Sequence, residues 1–204
     1  MMELIIGVIA ITLALVSYTL YISHTLQRKT KPHAMTWLVW SGLNFFVYSQ
    51  QVAAGAQEGA WVTIGAGFGS GLIFLLSLHY GERSVTRLDW ASFGLIALML
   101  LWWSQSGDAT LSVIIVIIIF LAGFMPTLRK ASKNAFEETA TSYALNGAKF
   151  LLSFVALGSI TFVTAAYPLT LFIINTGFAV YLIMMRRYHK KPPAHKRQVV
   201  RKRA

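Results

Sequence analysis

Apolar residues run through this chain in long blocks, separated by short polar breaks. Seven blocks are read, at about residues 4–26, 37–56, 60–80, 88–104, 110–128, 139–158 and 162–185. The breaks carry charge or turn residues: Arg28-Lys29-Thr30-Lys31-Pro32, Gln57-Glu58-Gly59, Gly81-Glu82-Arg83, Gln105-Ser106-Gly107-Asp108, and the stretch from Lys130 to Glu138. A further break is placed around 158–161. A bilayer core of roughly 30 Å needs about 20 apolar residues per helix. Backbone groups in lipid have no water to bond, so blocks of this length are predicted to be helices. The short alternating segments of a β-barrel are absent. The first block opens with Glu3, carries no leading Lys or Arg and shows no small-residue cleavage site, so it reads as a helix rather than a signal peptide.

Composition narrows the class. The chain is 56% hydrophobic and 12% charged, with a mean hydropathy of +0.60. A soluble domain carries about twice that share of charge, so a disordered chain, a coiled coil and an ordinary cytosolic enzyme are excluded. Cysteine is absent, which removes a disulfide framework and any Cys-based metal site or nucleophile. The net charge of +11 is localised: nine of the 18 Lys/Arg lie between Arg186 and Arg203. The loops after the first, third and fifth blocks hold eight more, the N-terminus and the alternate loops hold none, and Lys149 alone falls inside a block. The positive-inside rule then places the N-terminus outside and the tail in the cytoplasm, which requires an odd number of helices. The short loops fit a bacterial plasma membrane. The basic tail lacks interleaved aromatics, so it suits anionic lipid, at about 1 kcal/mol per residue near the surface, and not nucleic acid.

A shift of 103 residues lays the first three blocks on the last three; Thr36 falls on Thr139 and Trp40 on Tyr143. The fold class expected is therefore all-α: a polytopic membrane protein of seven helices, built as two parallel triple-helix repeats joined by a linker helix. The boundaries are 1–80 for the first repeat, 81–108 for the linker, 109–187 for the second repeat and 188–204 for the tail.

Two polar stripes carry the candidate chemistry. In the sixth block Thr139, Ser142, Tyr143, Asn146, Lys149 and Ser153 share one helical face, opposite Leu145, Phe150, Leu152 and Val155. In the second block the stripe is Trp37, Trp40, Ser41, Asn44, Tyr48 and Gln51. An ionisable group at mid-membrane marks function by default, so Lys149 is the sharpest candidate. Three readings stand for it: a pathway wall facing an anionic solute, a structural contact to a neighbouring helix, or a side chain snorkelling to an interface. Trp37 reads mainly as an interfacial belt residue. The small residues Gly65, Gly67, Gly69 and Gly71 read as a close helix contact.

The helix count, the outer N-terminus and the stretch Gly123-Phe124-Met125-Pro126-Thr127-Leu128-Arg129-Lys130 resemble the SWEET and PQ-loop superfamily of small transporters. That stretch is similar to a degenerate PQ motif; Ser23-His24 stands at the matching place in the first half, and the defining Gln is missing from both. The resemblance covers about residues 4–187 in architecture. It implies two triple-helix bundles around a central pathway, with Pro126 and Pro32 at a gate or hinge, and sugars, amino acids or small carboxylates as substrates. Asn175 is similar to the substrate-binding Asn of the seventh helix, whereas the matching place in the third helix is Leu72.

The resulting expectation is a facilitative carrier of a small polar or anionic solute, with Asn44, Asn146, Lys149, Asn175, Tyr143 and Trp40 in its pathway. The alternative is a non-transporting receptor or accessory subunit of the same fold. No catalytic residue, metal or cofactor is expected, because the five His are scattered and no carboxylate lies in the interior of a block, Asp89 and Asp108 standing at loop edges. Only Glu137 and Glu138 stand near a cytoplasmic gate, which favours facilitated diffusion over proton coupling. The partners expected are the solute and the bilayer, with homo-oligomer formation left open.

Overall fold

A computed structural model describes residues 1–82 and 107–188, together with positions 90, 94, 98, 101 and 105 between them. Among the described residues the chain is all-helical. Six helices are formed: α1 (Met2–Leu26), α2 (Ala34–Ala53), α3 (Trp61–Tyr80), α4 (Ala109–Lys133), α5 (Ala140–Val155) and α6 (Phe162–Tyr188). Short 3-10 turns at Gln57–Ala60 and Ala135–Glu137 lead into α3 and α5. The fourth apolar block lies outside the described residues, save for Trp90, Gly94, Leu98 and Leu101, which are helical. The basic tail beyond Tyr188 also lies outside them.

Local chemistry sets the helix ends. Asp108 caps α4, its side chain accepting from the Leu111 N–H at 3.1 Å. At the end of α1, Arg28 adopts a positive φ of 55°, which lets the Lys29 and Thr30 amides return to the His24 carbonyl at 2.9 and 3.2 Å. The helix of the sixth block stops at Val155, earlier than the hydropathy indicated. Thr161 and Thr164 explain the new start: each donates its N–H to the other's hydroxyl, at 2.9 and 3.3 Å, in the manner of a capping box. Helix α4 instead runs past the expected end at 128 to Lys133. Lys130 and Lys133 sit in its last turn, where cations favour the helix dipole.

Four helical segments are long and apolar enough to cross a membrane: Met2–Leu26, Gln57–Tyr80, Ala109–Lys133 and Phe162–Tyr188. The other two helices are α2, with 20 residues, and α5, with 16. These are the two that carry the polar stripes. The exterior of the molecule is apolar: Leu15, Phe68, Leu75, Ile173 and Ile183 are among its exposed side chains. Buried positions include Ser17, Asn44, Gln51, Ser70, Asn146, Lys149 and Asn175. Polar groups inside and hydrocarbon outside is the arrangement a lipid surround favours.

The packing order repeats. Helix α3 packs against both α1 and α2, and α6 packs against both α4 and α5. Across the middle, α1 packs on α5 and α2 on α4. Glycines permit the closest approaches: a Cβ on Gly65 would meet Ile11 at 2.6 Å, and one on Gly69 would meet the Tyr18 ring at 2.6 Å. The GxG run of α3 is thus a packing surface on two sides, Gly65 and Gly69 facing α1 while Gly67 and Gly71 face Phe45 and Ser41 of α2.

Candidate functional site

The two polar stripes face inward. Thr139, Ser142, Tyr143, Asn146, Lys149 and Ser153 are all buried, as are Trp37, Trp40, Ser41, Asn44 and Gln51. Between the stripes lies a narrow cavity of ≈ 20 Å³ to which all six helices contribute. That is room for about one water molecule. Tyr18 comes from α1, Trp40 and Asn44 from α2, Ser70 from α3, Phe120 from α4, Asn146 and Phe150 from α5, and Asn175 from α6.

Four of the six expected pathway residues line this cavity: Trp40, Asn44, Asn146 and Asn175. Their hydrogen bonds differ. The Asn44 Nδ2 donates to the Trp40 carbonyl at 2.7 Å and its Oδ1 accepts from Tyr167 at 3.2 Å, so its amide is used at both ends. The Asn175 Nδ2 donates to the Leu171 carbonyl of its own helix at 2.8 Å, which leaves Oδ1 as an acceptor. The Asn146 Oδ1 accepts from Ser17 at 2.9 Å, which ties α1 to α5. Trp40 stacks on Phe120 and Phe124, with ring centroids 5.0 and 6.0 Å apart. Its Nε1 has no hydrogen-bond partner among the described residues.

The other two expected pathway residues are placed elsewhere. Lys149 is completely buried, and its Nζ has no hydrogen-bond partner among the described residues. The ammonium lies 4.1 Å from the centroid of the Tyr18 ring and 5.0 Å from that of Phe150. Both rings line the cavity, so Lys149 sits one aromatic ring behind its wall. The snorkelling reading does not hold for a side chain with no exposure. Tyr143 turns away from the cavity and donates its hydroxyl to Glu138 at 3.2 Å.

Further expectations are corrected. Trp37 is not a belt residue: it is 3% exposed, lies 4.8 Å from the Tyr21 ring and reaches the cavity. Phe150, assigned to the apolar outer face, is buried and lines the cavity. Pro32 precedes α2, and its carbonyl accepts the Glu82 N–H at 2.9 Å, linking the start of α2 to the end of α3. Pro126 lies inside α4, which continues through it. Two residues earlier in the chain than Met125, Gly123 offers its carbonyl to Thr36 of α2 at 3.0 Å.

Glu138 organises the basic end of the molecule. Its carboxylate pairs with Lys130 of α4 and accepts from Tyr21 of α1 at 3.3 Å and from Tyr143 of α5. Lys130 also donates to the Lys31 carbonyl. Arg186 of α6 donates to the backbone carbonyls of Ala135 and Glu138, at 3.2 and 2.5 Å. Beside this hub Thr139 meets Thr30 at 2.6 Å and His24 at 3.1 Å. The sequence put Glu138 near a gate but gave no sign of Tyr21 or Tyr18. The i, i+4 series Ser17, Tyr21, Thr25 is the signal that would have found this face of α1.

The bonds that close the opposite end join neutral groups, with the Glu58 carboxylate beside them in the Gln57–Ala60 turn. Ser153 donates to the Gly59 carbonyl at 2.6 Å, and Gly158 N–H reaches the Ala56 carbonyl at 3.4 Å. Gln51 Nε2 donates to the Thr164 carbonyl at 3.3 Å. That carbonyl lies four residues before Pro168, which has no N–H to bond it.

Comparison of the chain with protein-family models, curated proteins and solved structures finds no match.

Proposed function

We propose that the chain is a carrier for a small polar solute, working by alternating access between two triple-helix bundles. In this reading α1–α3 form one bundle, α4–α6 form the other, and block 88–104 supplies a linking helix, giving seven helices in a 3+1+3 order. The N-terminus is outside, the basic end faces the cytoplasm, and a bacterial plasma membrane is the setting. The observation that carries the reading is the narrow cavity between the bundles, lined from both of them and bringing Asn44, Asn146 and Asn175 together among aromatic side chains.

The packing order supports the repeat, and so do the aromatic pairs across the middle. Trp40 of α2 packs on Phe124 of α4, and Tyr143 of α5 packs on Tyr21 of α1, with centroids 6.0 and 6.5 Å apart. Shifting either pair by 103 residues gives the other. Facilitated diffusion is the simpler mechanism, with the Glu138 hub as the cytoplasmic gate and the Gln51–Ser153 region as the outer one. The smallness of the cavity favours a second reading, a receptor or accessory subunit that does not transport. A carrier must separate its bundles to admit even a small solute.

The chain has no cysteine, which makes a locking experiment clean. A Cβ built on Gly55 lies 3.8 Å from that of Ser159, the spacing of a disulfide. Gly55→Cys with Ser159→Cys would bridge the bundles at the outer end; Gly55 has a φ of 77°, so the Cys there is strained and the reduced double variant is the reference for uptake. Saturable uptake of labelled sugars, amino acids or carboxylates into proteoliposomes is expected. It should stop when this pair is oxidised and return on reduction. Uptake that continues through the locked protein sinks alternating access at this end, and absence of uptake from folded protein transfers the assignment to the receptor reading.

A further inference from the structure

We infer that the solute is a small carboxylate held by Lys149, and that Tyr18 is the partition that hides this lysine when the site is empty. The inference rests on the carrier reading and adds the substrate class to it.

Lys149 has no exposure, and its Nζ has neither a hydrogen-bond nor an ion-pair partner among the described residues. Charge buried in that way is unfavourable unless it is paired. The described carboxylates do not supply the partner. Glu138 is taken by Lys130, Tyr21 and Tyr143. Glu58 lies against Gly7, near the far end of α1. Glu3, Glu82, Asp108 and Glu137 stand at or beyond helix ends. What the ammonium has instead is the face of Tyr18, a cation–π contact that compensates it in part. A neutral solute would leave the ammonium as it is. A carboxylate would complete it.

Tyr18 is placed to move. Its hydroxyl is held by long contacts, 3.3 Å to the Ala66 carbonyl and 3.5 Å to Ser70 Oγ. Its ring lies over Gly69, which has no side chain to lock it in place. Tyr18 both lines the cavity and covers Lys149, so a rotamer change in this single side chain would bring the ammonium to the cavity wall. Trp40, whose Nε1 has no hydrogen-bond partner, offers a second donor from the opposite bundle. Asn175 Oδ1 offers an acceptor to a hydroxyl or ammonium group beside the carboxylate.

The test uses the full chain in proteoliposomes with labelled lactate and labelled glucose. Wild type is expected to take up lactate saturably. Lys149→Met should lower that uptake by at least about tenfold, the scale of a lost buried charge partner. Lys149→Arg should retain it, and Tyr18→Ala should lower the half-saturating concentration by leaving the ammonium uncovered. Should Lys149→Met fail to fold, lactate must raise the melting temperature of wild type in detergent where equal glucose does not. Glucose uptake without lactate uptake, or lactate uptake indifferent to Lys149→Met, overturns the inference while the carrier reading survives. Folded protein that moves neither solute and is stabilised by neither overturns the inference; a wider panel of sugars and amino acids then decides the carrier reading.

Discussion

The two ends of this molecule are closed by different chemistry. At the basic end, four helices and a loop converge on one buried carboxylate: Glu138 meets Lys130, Tyr21 and Tyr143, while Arg186 and Lys31 join through the backbone. At the opposite end, Ser153, Gln51 and Gly158 bond neutral carbonyls, and the chains approach over Gly59. A buried charge cluster is cooperative, because losing one member leaves another charge unpaired. A neutral contact between small residues weakens by degrees. In the carrier reading the basic end is therefore the gate with two discrete states, and the opposite end is the one that can slide.

The largest expected effect comes from breaking the hub. Glu138→Ala strands Lys130, which is 10% exposed, and should cost about 3–5 kcal/mol in an unfolding titration. Adding Lys130→Met should recover most of it. If the single substitution costs no more than the double one, the end is not held by charge. Next comes the neutral side. A Cβ on Gly59 would lie 2.6 Å from Leu157 Cδ2 and 3.0 Å from the Ser153 carbonyl, so Gly59→Ala should cost about 1–3 kcal/mol by overpacking. Because backbone is among the atoms met, Leu157→Ala should relieve only part of this; full relief would show that the clasp is side-chain packing alone. The smallest effect is at Gln51. Gln51→Leu removes the donor to Thr164 and should cost about 1 kcal/mol. The same change in a Pro168→Ala background should cost less, since the restored N–H serves that carbonyl. Equal costs in the two backgrounds would break the link between the proline and the glutamine.

Much of the fold was legible because hydropathy blocks report helices directly. The blocks at 4–26, 60–80, 110–128 and 162–185 correspond to the four segments long and apolar enough to cross a membrane. The ends were less legible. Helix α5 stops at Val155 through threonine hydroxyls that start α6, a capping signal that apolar averaging erases. The inward polar stripes were legible from their spacing, and with them four residues of the cavity. Lys149 and Tyr143 share a helix face with those residues, but each side chain extends along the helix to a different depth, which spacing does not encode. Tyr18 was hidden in a strongly apolar stretch of the chain. Its role follows from Gly69 lying opposite it in space, 51 positions away in the sequence.

The bond from Gln51 to Thr164 also bears on descent. Pro168 frees a carbonyl that Gln51 then satisfies, so the two side chains form a unit of inheritance although 117 positions separate them. A lineage that replaces the proline removes the selection on the glutamine, which is then free to drift to an apolar residue. A lineage that loses the glutamine first carries an unbonded carbonyl until the proline follows. Among descendants of this chain the second order should be the rarer one.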